Sequence, residues 1–250
     1  MERYLVAALA CRNQGSRLYG KPLQNLDVLA STKIIDHIIY SLESLSCIDE
    51  IILGIADGVE NEIYKSIANS KGIRYVVGDE HDVLSRLISC GQLTNATDIF
   101  RITSESPFLY HALVENLWEL HVNEKNDATF LDEIIDGCGF EIIKLNALVK
   151  SHNNGESRHK SELCSLYIRE NLKEFKVHKA APPIELNRKD LRLTVDNPED
   201  LALCRIIFQN FKNFSPQIPI DKIVSFLDEN PNLIRMVEKY TEIGYSTMSR

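Results

Sequence analysis

The 250-residue chain has little that commits it to a membrane, to nucleic acid or to a disulfide scaffold. No apolar stretch is long enough to span a bilayer. The apolar part of the opening "MERYLVAALACRN" is too short for a signal peptide and is followed at once by charge. Positive charge is in deficit: 28 Lys and Arg face 36 Asp and Glu, a net charge of −8, which argues against a general nucleic-acid binder. The six cysteines, at 11, 47, 90, 138, 164 and 204, contain no C-x-x-C pair and no zinc-ligand spacing. Several sit in apolar runs, the setting of reduced, buried thiols. Internal repeats, low-complexity tracts and long linkers are missing too. A soluble cytoplasmic protein is expected, with neither nucleic acid nor membrane as partner.

What is present is an alternation of short apolar runs and amphipathic stretches. "RYLVAALA" (3–10), "DEIILGIA" (49–56), "IRYVVG" (73–78), "DIFRIT" (98–103) and "DATFL" (127–131) read as strands. Between them, "STKIIDHIIYSLESLS" with Ser31 or Thr32 as cap, 59–70, 82–93 and 109–122 read as helices. This order predicts a mostly parallel sheet covered by helices on both faces. Beyond 133, strands are expected at 139–145, 175–181 and 191–195, with a helical stretch ending in 161–171 between the first two. Asn197, Pro198, Glu199 and Asp200 form a helix start, with Asn197 as cap and Pro198 at the first helical position. The expected organisation is an α/β domain over 1–212 with a C-terminal helical extension over 213–250.

The first strand runs into "GSRLYGKP" (15–22), which has P-loop spacing but ends in Pro22 where a P-loop has Ser or Thr. Pro22 supplies no hydroxyl for magnesium and biases Lys21 away from the αR region, so a helix opening there is not expected. The loop instead places Arg12, Arg17 and Lys21 among the small residues Gly15, Ser16 and Gly20, a composition suited to close approach of a polyphosphate. A solvated turn with ordinary surface cations accounts for the same residues.

In open parallel sheets, ligands collect beyond the carboxyl ends of the strands. There the chain carries Asp79, Glu80, Asp82 and Arg86 after the third strand, Arg101, Ser104 and Glu105 after the fourth, and Asp196 after 191–195. Cations on one loop with carboxylates at two other strand exits suit a Mg²⁺–polyphosphate site, because magnesium takes one or two carboxylates and fills its shell with water and phosphate. Asp196 also serves as part of a helix start, and Glu105 as a loop residue before Pro107.

"ALACRNQGSRLYGKPLQNL" resembles the opening of the cytidylyltransferases that activate acidic sugars, the 3-deoxy-manno-octulosonate and acylneuraminate types, and among them the spore-coat polysaccharide biosynthesis subgroup. The resemblance continues in order through "IDEIILGIADGVEN", "GDEHDVLSRL", "RITSESPF", "SELCSLYI" and "LRLTVDNPEDLALCRIIF", covering most of 4–208. It implies a Rossmann-like nucleotide-diphospho-sugar transferase (GT-A-like) fold and transfer of CMP from CTP to an acidic sugar, with pyrophosphate released. By position, Arg12, Arg17 and Lys21 resemble the triphosphate grip, and Gly15 and Ser16 let the loop close. Asp82 and Arg86 match a D-V-L-x-R pattern with an expected nucleotide-side or loop-ordering role. Glu105 stands where the family usually has Asp, and Asp196 stands at the second metal-binding Asp. Such an in-line displacement needs positioning and charge neutralisation more than covalent chemistry.

On the acceptor side, "NNGESRHKSEL" (153–163) supplies Arg158, His159, Lys160 and Glu162 as candidates for binding the sugar acid. The Arg158-His159 pair departs from the subgroup's commoner Arg-Glu-His order. A homodimer stays open, although no long dimerisation insert is present. Two other readings share the architecture: a nucleotide-sugar-dependent glycosyltransferase, against which the chain shows no Asp-x-Asp motif after a strand, and an inactive nucleotide-binding module.

Overall fold

The computed structural model describes residues 3–15 and 17–248, with side chains described through 241. β1 (Leu5–Cys11) is central. Leu5, Ala7, Leu9 and Cys11 enter one apolar cluster while Val6 and Ala8 enter another, so the period-two alternation of a strand serves two covered faces. After a short hairpin, β2 (Asn25–Asp27) and β3 (Thr32–Lys33), the chain winds through α1 (Ile34–Glu43), β4 (Glu50–Ala56), α2 (Glu62–Lys71), β5 (Arg74–Gly78), α3 (Val83–Thr94) and β6 (Asp98–Arg101). It continues through α4 (Val114–Asn123), β7 (Ala128–Leu131), β8 (Phe140–Lys144), α5 (Leu145–Asn154), α6 (Leu166–Glu170) and β9 (Val177–Lys179). Three helices close it: α7 (Pro198–Phe211), α8 (Ile220–Glu229) and α9 (Pro231–Met248).

The main sheet runs β5-β4-β1-β6-β8-β7-β9. β5, β4, β1 and β6 are mutually parallel, β7 and β9 pair in parallel, and β8 alone runs antiparallel to its neighbours β6 and β7. Ile34, Ile35, Ile38, Ile39 and Leu42 of α1 are buried against one face, and Leu84, Leu87 and Cys90 of α3 against the other. Truncating any of these isoleucines or leucines to Ala costs about 2–5 kcal/mol, through lost transfer energy and the cavity left behind. Ile220, Ile223, Val224, Leu227 and Val237 join the same cluster as α1, so α8 and α9 share the core of the sheet.

Four local expectations change. Residues 191–195 are buried and extended but form no strand of the sheet: Arg192 makes a lone parallel bridge to Asp136, and the Val195 N–H donates to the Glu105 carbonyl at 3.1 Å. A buried extended segment and a sheet strand have the same apolar pattern. α1 starts at Ile34 and not beside Ser31, which lies at φ 55, because the hairpin occupies Thr32 and Lys33; the Asp36 carboxylate receives the Lys33 N–H at 3.2 Å. Helix in 161–171 shrinks to α6, since Ser165 and the Glu162 carbonyl turn to side chains of the sheet. A one-turn 3-10 helix, Lys21–Leu23, does open after Gly20, whose left-handed φ of 58 makes the turn and suits glycine.

Candidate active site

A cleft of about 280 Å³ opens at the carboxyl ends of β1 and β6. Its floor is the Ala8, Ala10, Arg12 face of β1, where two alanines leave space and the third alternate residue adds charge. Val83, Arg86 and Leu87 of α3 line one side, and Arg101, Glu105 and Glu162 contribute from β6 and beyond.

The loop after β1 is held from behind. The Asn13 N–H donates to Asn61 Oδ1 at 2.8 Å, the Tyr64 hydroxyl to Asn13 Oδ1 at 2.8 Å, and Asn13 Nδ2 to the Glu60 carbonyl. Gly15 is packed so closely that a Cβ would stand 2.6 Å from the Leu18 carbonyl oxygen. Gly15, Arg12, Arg17 and Lys21 all line the cleft, whereas Ser16 lies outside the described residues.

Asp196 does not line the cleft but anchors two residues that do. One of its oxygens accepts Lys21 Nζ at 2.6 Å and pairs with Arg17 at 2.9 Å, and the other meets Arg192. Burial pushes its acidity toward the neutral form, yet Lys21, Arg192 and Arg17 outweigh burial and hold the carboxyl below its ordinary value. Arg192 is itself buried among Asp136, Asp196 and Asp200. Asp200 also receives the N–H groups of Asp196 and Asn197, at 3.0 and 2.8 Å, so the start of α7 and the seat of Asp196 form one unit. Glu105 has the opposite environment. Burial raises its pKa, nearby Asp196 and Glu162 add to the rise, and Lys21 offsets part of it.

The remaining residues singled out in the sequence separate. Arg86 lines the cleft and donates to the carbonyls of Asp79 and Glu80, at 2.9 and 3.3 Å. Asp82 caps α3 by accepting the Ser85 N–H at 2.8 Å and bonds His152 at 2.7 Å, outside the cleft lining. Glu162 reaches across the cleft to Arg12. Arg158 forks onto Glu170, buried His159 receives the Glu156 N–H and faces Glu170, and neither these two nor Lys160 lines the cleft. Asn61, Tyr64, Glu141, Arg169 and Arg192, which support the cleft from outside it, carry no sequence signal of their own: each is a polar residue in or beside an apolar run.

The chain is similar to the spore coat polysaccharide biosynthesis protein SpsF of Bacillus subtilis, 23% identical and covering 90% of this chain and 94% of that protein. Among solved structures it is similar to a cytidylyltransferase from Leptospira borgpetersenii, with TM-score 0.82, 18% identity, and 93% of this chain and 97% of that one covered. It is similar also to CMP:2-keto-3-deoxy-manno-octonic acid synthetase complexed with CTP, with TM-score 0.60, 14% identity, and coverage of 83% and 99%. The cytidylyltransferase family profile matches residues 7–235. With that match over nearly the whole α/β fold, the chain belongs to the cytidylyltransferase family of nucleotidyltransferase enzymes.

Proposed function

We propose that the protein transfers CMP from CTP to an acidic sugar of the ulosonic or nonulosonic type, releasing pyrophosphate, in the synthesis of a surface polysaccharide or glycan. The observation that carries this reading is the cleft at the carboxyl ends of β1 and β6, with Arg12, Arg17 and Lys21 on one loop and Glu105 opposite. The polysaccharide role of SpsF and the CTP held by the synthetase of similar fold agree with it.

In this reading a triphosphate competes with Asp196 for Lys21 and Arg17, whose charges then spread over the β- and γ-phosphates and hold pyrophosphate as it leaves. Asp196 stays seated through Arg192. Glu105 and Asp196 are hard oxygen donors of the kind Mg²⁺ takes, and the Asp196 charge adds to the rise in the Glu105 pKa. Among the described residues no three His, Cys, Asp or Glu side chains form a metal cluster, and in this reading phosphate and water would complete the shell. When bound, magnesium neutralises phosphate charge. Arg86 and Arg12 add positive potential on either side of the reacting phosphate, and no nucleophilic side chain is required.

The test is pyrophosphate release from each of the four nucleoside triphosphates across sugar acids and sugar phosphates, with and without magnesium. CTP-specific release with a sugar acid is expected; release with a purine triphosphate, or with no acceptor of the panel, would replace this reading.

A further inference from the structure

Arg101 ends β6, directly beside β1, and lines the cleft. The other cations of the cleft come from the loop after β1 and from α3; among the described lining residues Arg101 is the cation supplied by the half of the sheet beyond β1. Its fork is fixed. One terminal nitrogen donates to Glu141 Oε2 at 2.8 Å and the other to the Glu162 carbonyl at 2.5 Å. A guanidinium carries five N–H donors, so beyond these two bonds and its contact with the Cys164 thiol Arg101 keeps donor capacity.

Glu141, on β8, is buried and does not reach the cleft. Its second oxygen accepts Ser165 Oγ at 2.5 Å and Arg169 at 2.7 Å, and Arg169 forks onto Asp132 at 2.6 and 3.0 Å while lying over the Phe130 ring at 4.0 Å. Two cations and two carboxylates balance, so the array holds Arg101 in one orientation without a net charge to neutralise. A buried ionic array of this kind contributes little net stability compared with apolar packing. What it supplies is a guanidinium held in place on the β6 side of the cleft, next to the Glu162 that Arg12 meets.

We propose that Arg101 binds the carboxylate of the acceptor sugar, and that Glu141 is its positioning residue. A planar fork matches a carboxylate as it does a phosphate, and because the three loop cations already match a triphosphate in charge, Arg101 is left to the acceptor's carboxylate. The inference deepens the proposed function and rests on it. It also replaces Arg158 and Lys160, which lie away from the cleft lining, as the source of the acceptor's cation.

The experiment measures, by calorimetry, binding of 3-deoxy-manno-octulosonic acid and N-acetylneuraminic acid and of their methyl esters, to the CTP-free protein, alongside CTP binding without acceptor. In the wild type one free acid binds more tightly than its ester by about tenfold or more, the loss expected for a charge-assisted hydrogen bond. Arg101→Ala removes that preference and leaves CTP affinity within about twofold. Arg101→Lys keeps the charge without the fork and retains part of the preference. Glu141→Gln weakens it in the same direction, a change that a purely structural role would not produce in folded protein. No acid preference in the wild type, its persistence in Arg101→Ala, or a parallel loss of CTP affinity overturns the assignment. Failure of CTP binding and of pyrophosphate release in the wild type, with the acid preference intact, would instead overturn the proposed reaction alone.

Discussion

Asp196 shows how one carboxylate can carry two roles. It anchors Lys21 and Arg17 with one oxygen while Arg192 holds the other. Arg17→Ala and Lys21→Ala should each lower kcat/KM by about tenfold or more, since each removes a cation that the proposed function assigns to the triphosphate. Their melting temperatures should change little, because Asp196 keeps its remaining cations. Asp196→Asn preserves shape but removes charge, and is expected to abolish magnesium-dependent pyrophosphate release in a protein that still melts cooperatively. Undiminished activity would leave Asp196 as an anchor of the helix start and of its three cations, not a metal ligand. Glu105→Asp restores the family's commoner residue and should retain appreciable activity. Burial holds the Glu105 pKa above its ordinary value. Activity that needs its carboxylate should therefore fall on acidification at a higher pH than an ordinary glutamate would impose, a shift read from the pH dependence of kcat/KM.

At the scale of elements, the site depends on two buried arrays attached to secondary structure. Asp200, in the first turn of α7, receives two backbone N–H groups and Arg192. Asp200→Ala would leave a buried guanidinium short of a partner and uncap the helix, a cost of about 3–5 kcal/mol readable by denaturant titration. The second array centres on Glu141. Burial there favours the neutral acid, but Arg101 and Arg169 outweigh it and lower the pKa to about 2 from 4.5. A depressed carboxyl pKa contributes stability that is fully present above the unfolded value and is lost as pH falls through the folded one. The difference in melting temperature between wild type and Glu141→Gln should accordingly be constant above about pH 5 and shrink toward pH 2.

For the molecule as a whole, the order β5-β4-β1-β6-β8-β7-β9 puts β4 and β5 on one side of β1 and β6 on the other, and the cleft lies at that switch between β1 and β6. A ligand that fills this cleft joins the β1 loop, α3 and β6 and should stabilise the entire fold, since it binds the native state alone. CTP with magnesium is expected to raise the melting temperature more than ATP or GTP. Equal shifts for all triphosphates would remove the cytosine preference from the proposed function. No described helix is long and apolar enough to cross a membrane.

Much of this architecture is legible in the sequence, for a local reason. β1, β4, β5, β6 and α3 are near-continuous or strongly periodic apolar patterns, and Pro198 with Asp200 marks a helix start through backbone chemistry alone. The glycines of 12–21 likewise mark a loop after β1. Pairing across the chain is another matter. That β8 runs antiparallel between β6 and β7, that 191–195 stays out of the sheet, and that Arg101, Glu141 and Arg169 meet, all depend on contacts between residues distant in sequence. Local pattern is the same in each of those segments whichever partner it finds. Only the tertiary structure decides that Glu162 faces the cleft while its near neighbours Arg158 and His159 turn to Glu170, because that choice is made by the geometry of the available ionic partners and not by residue type.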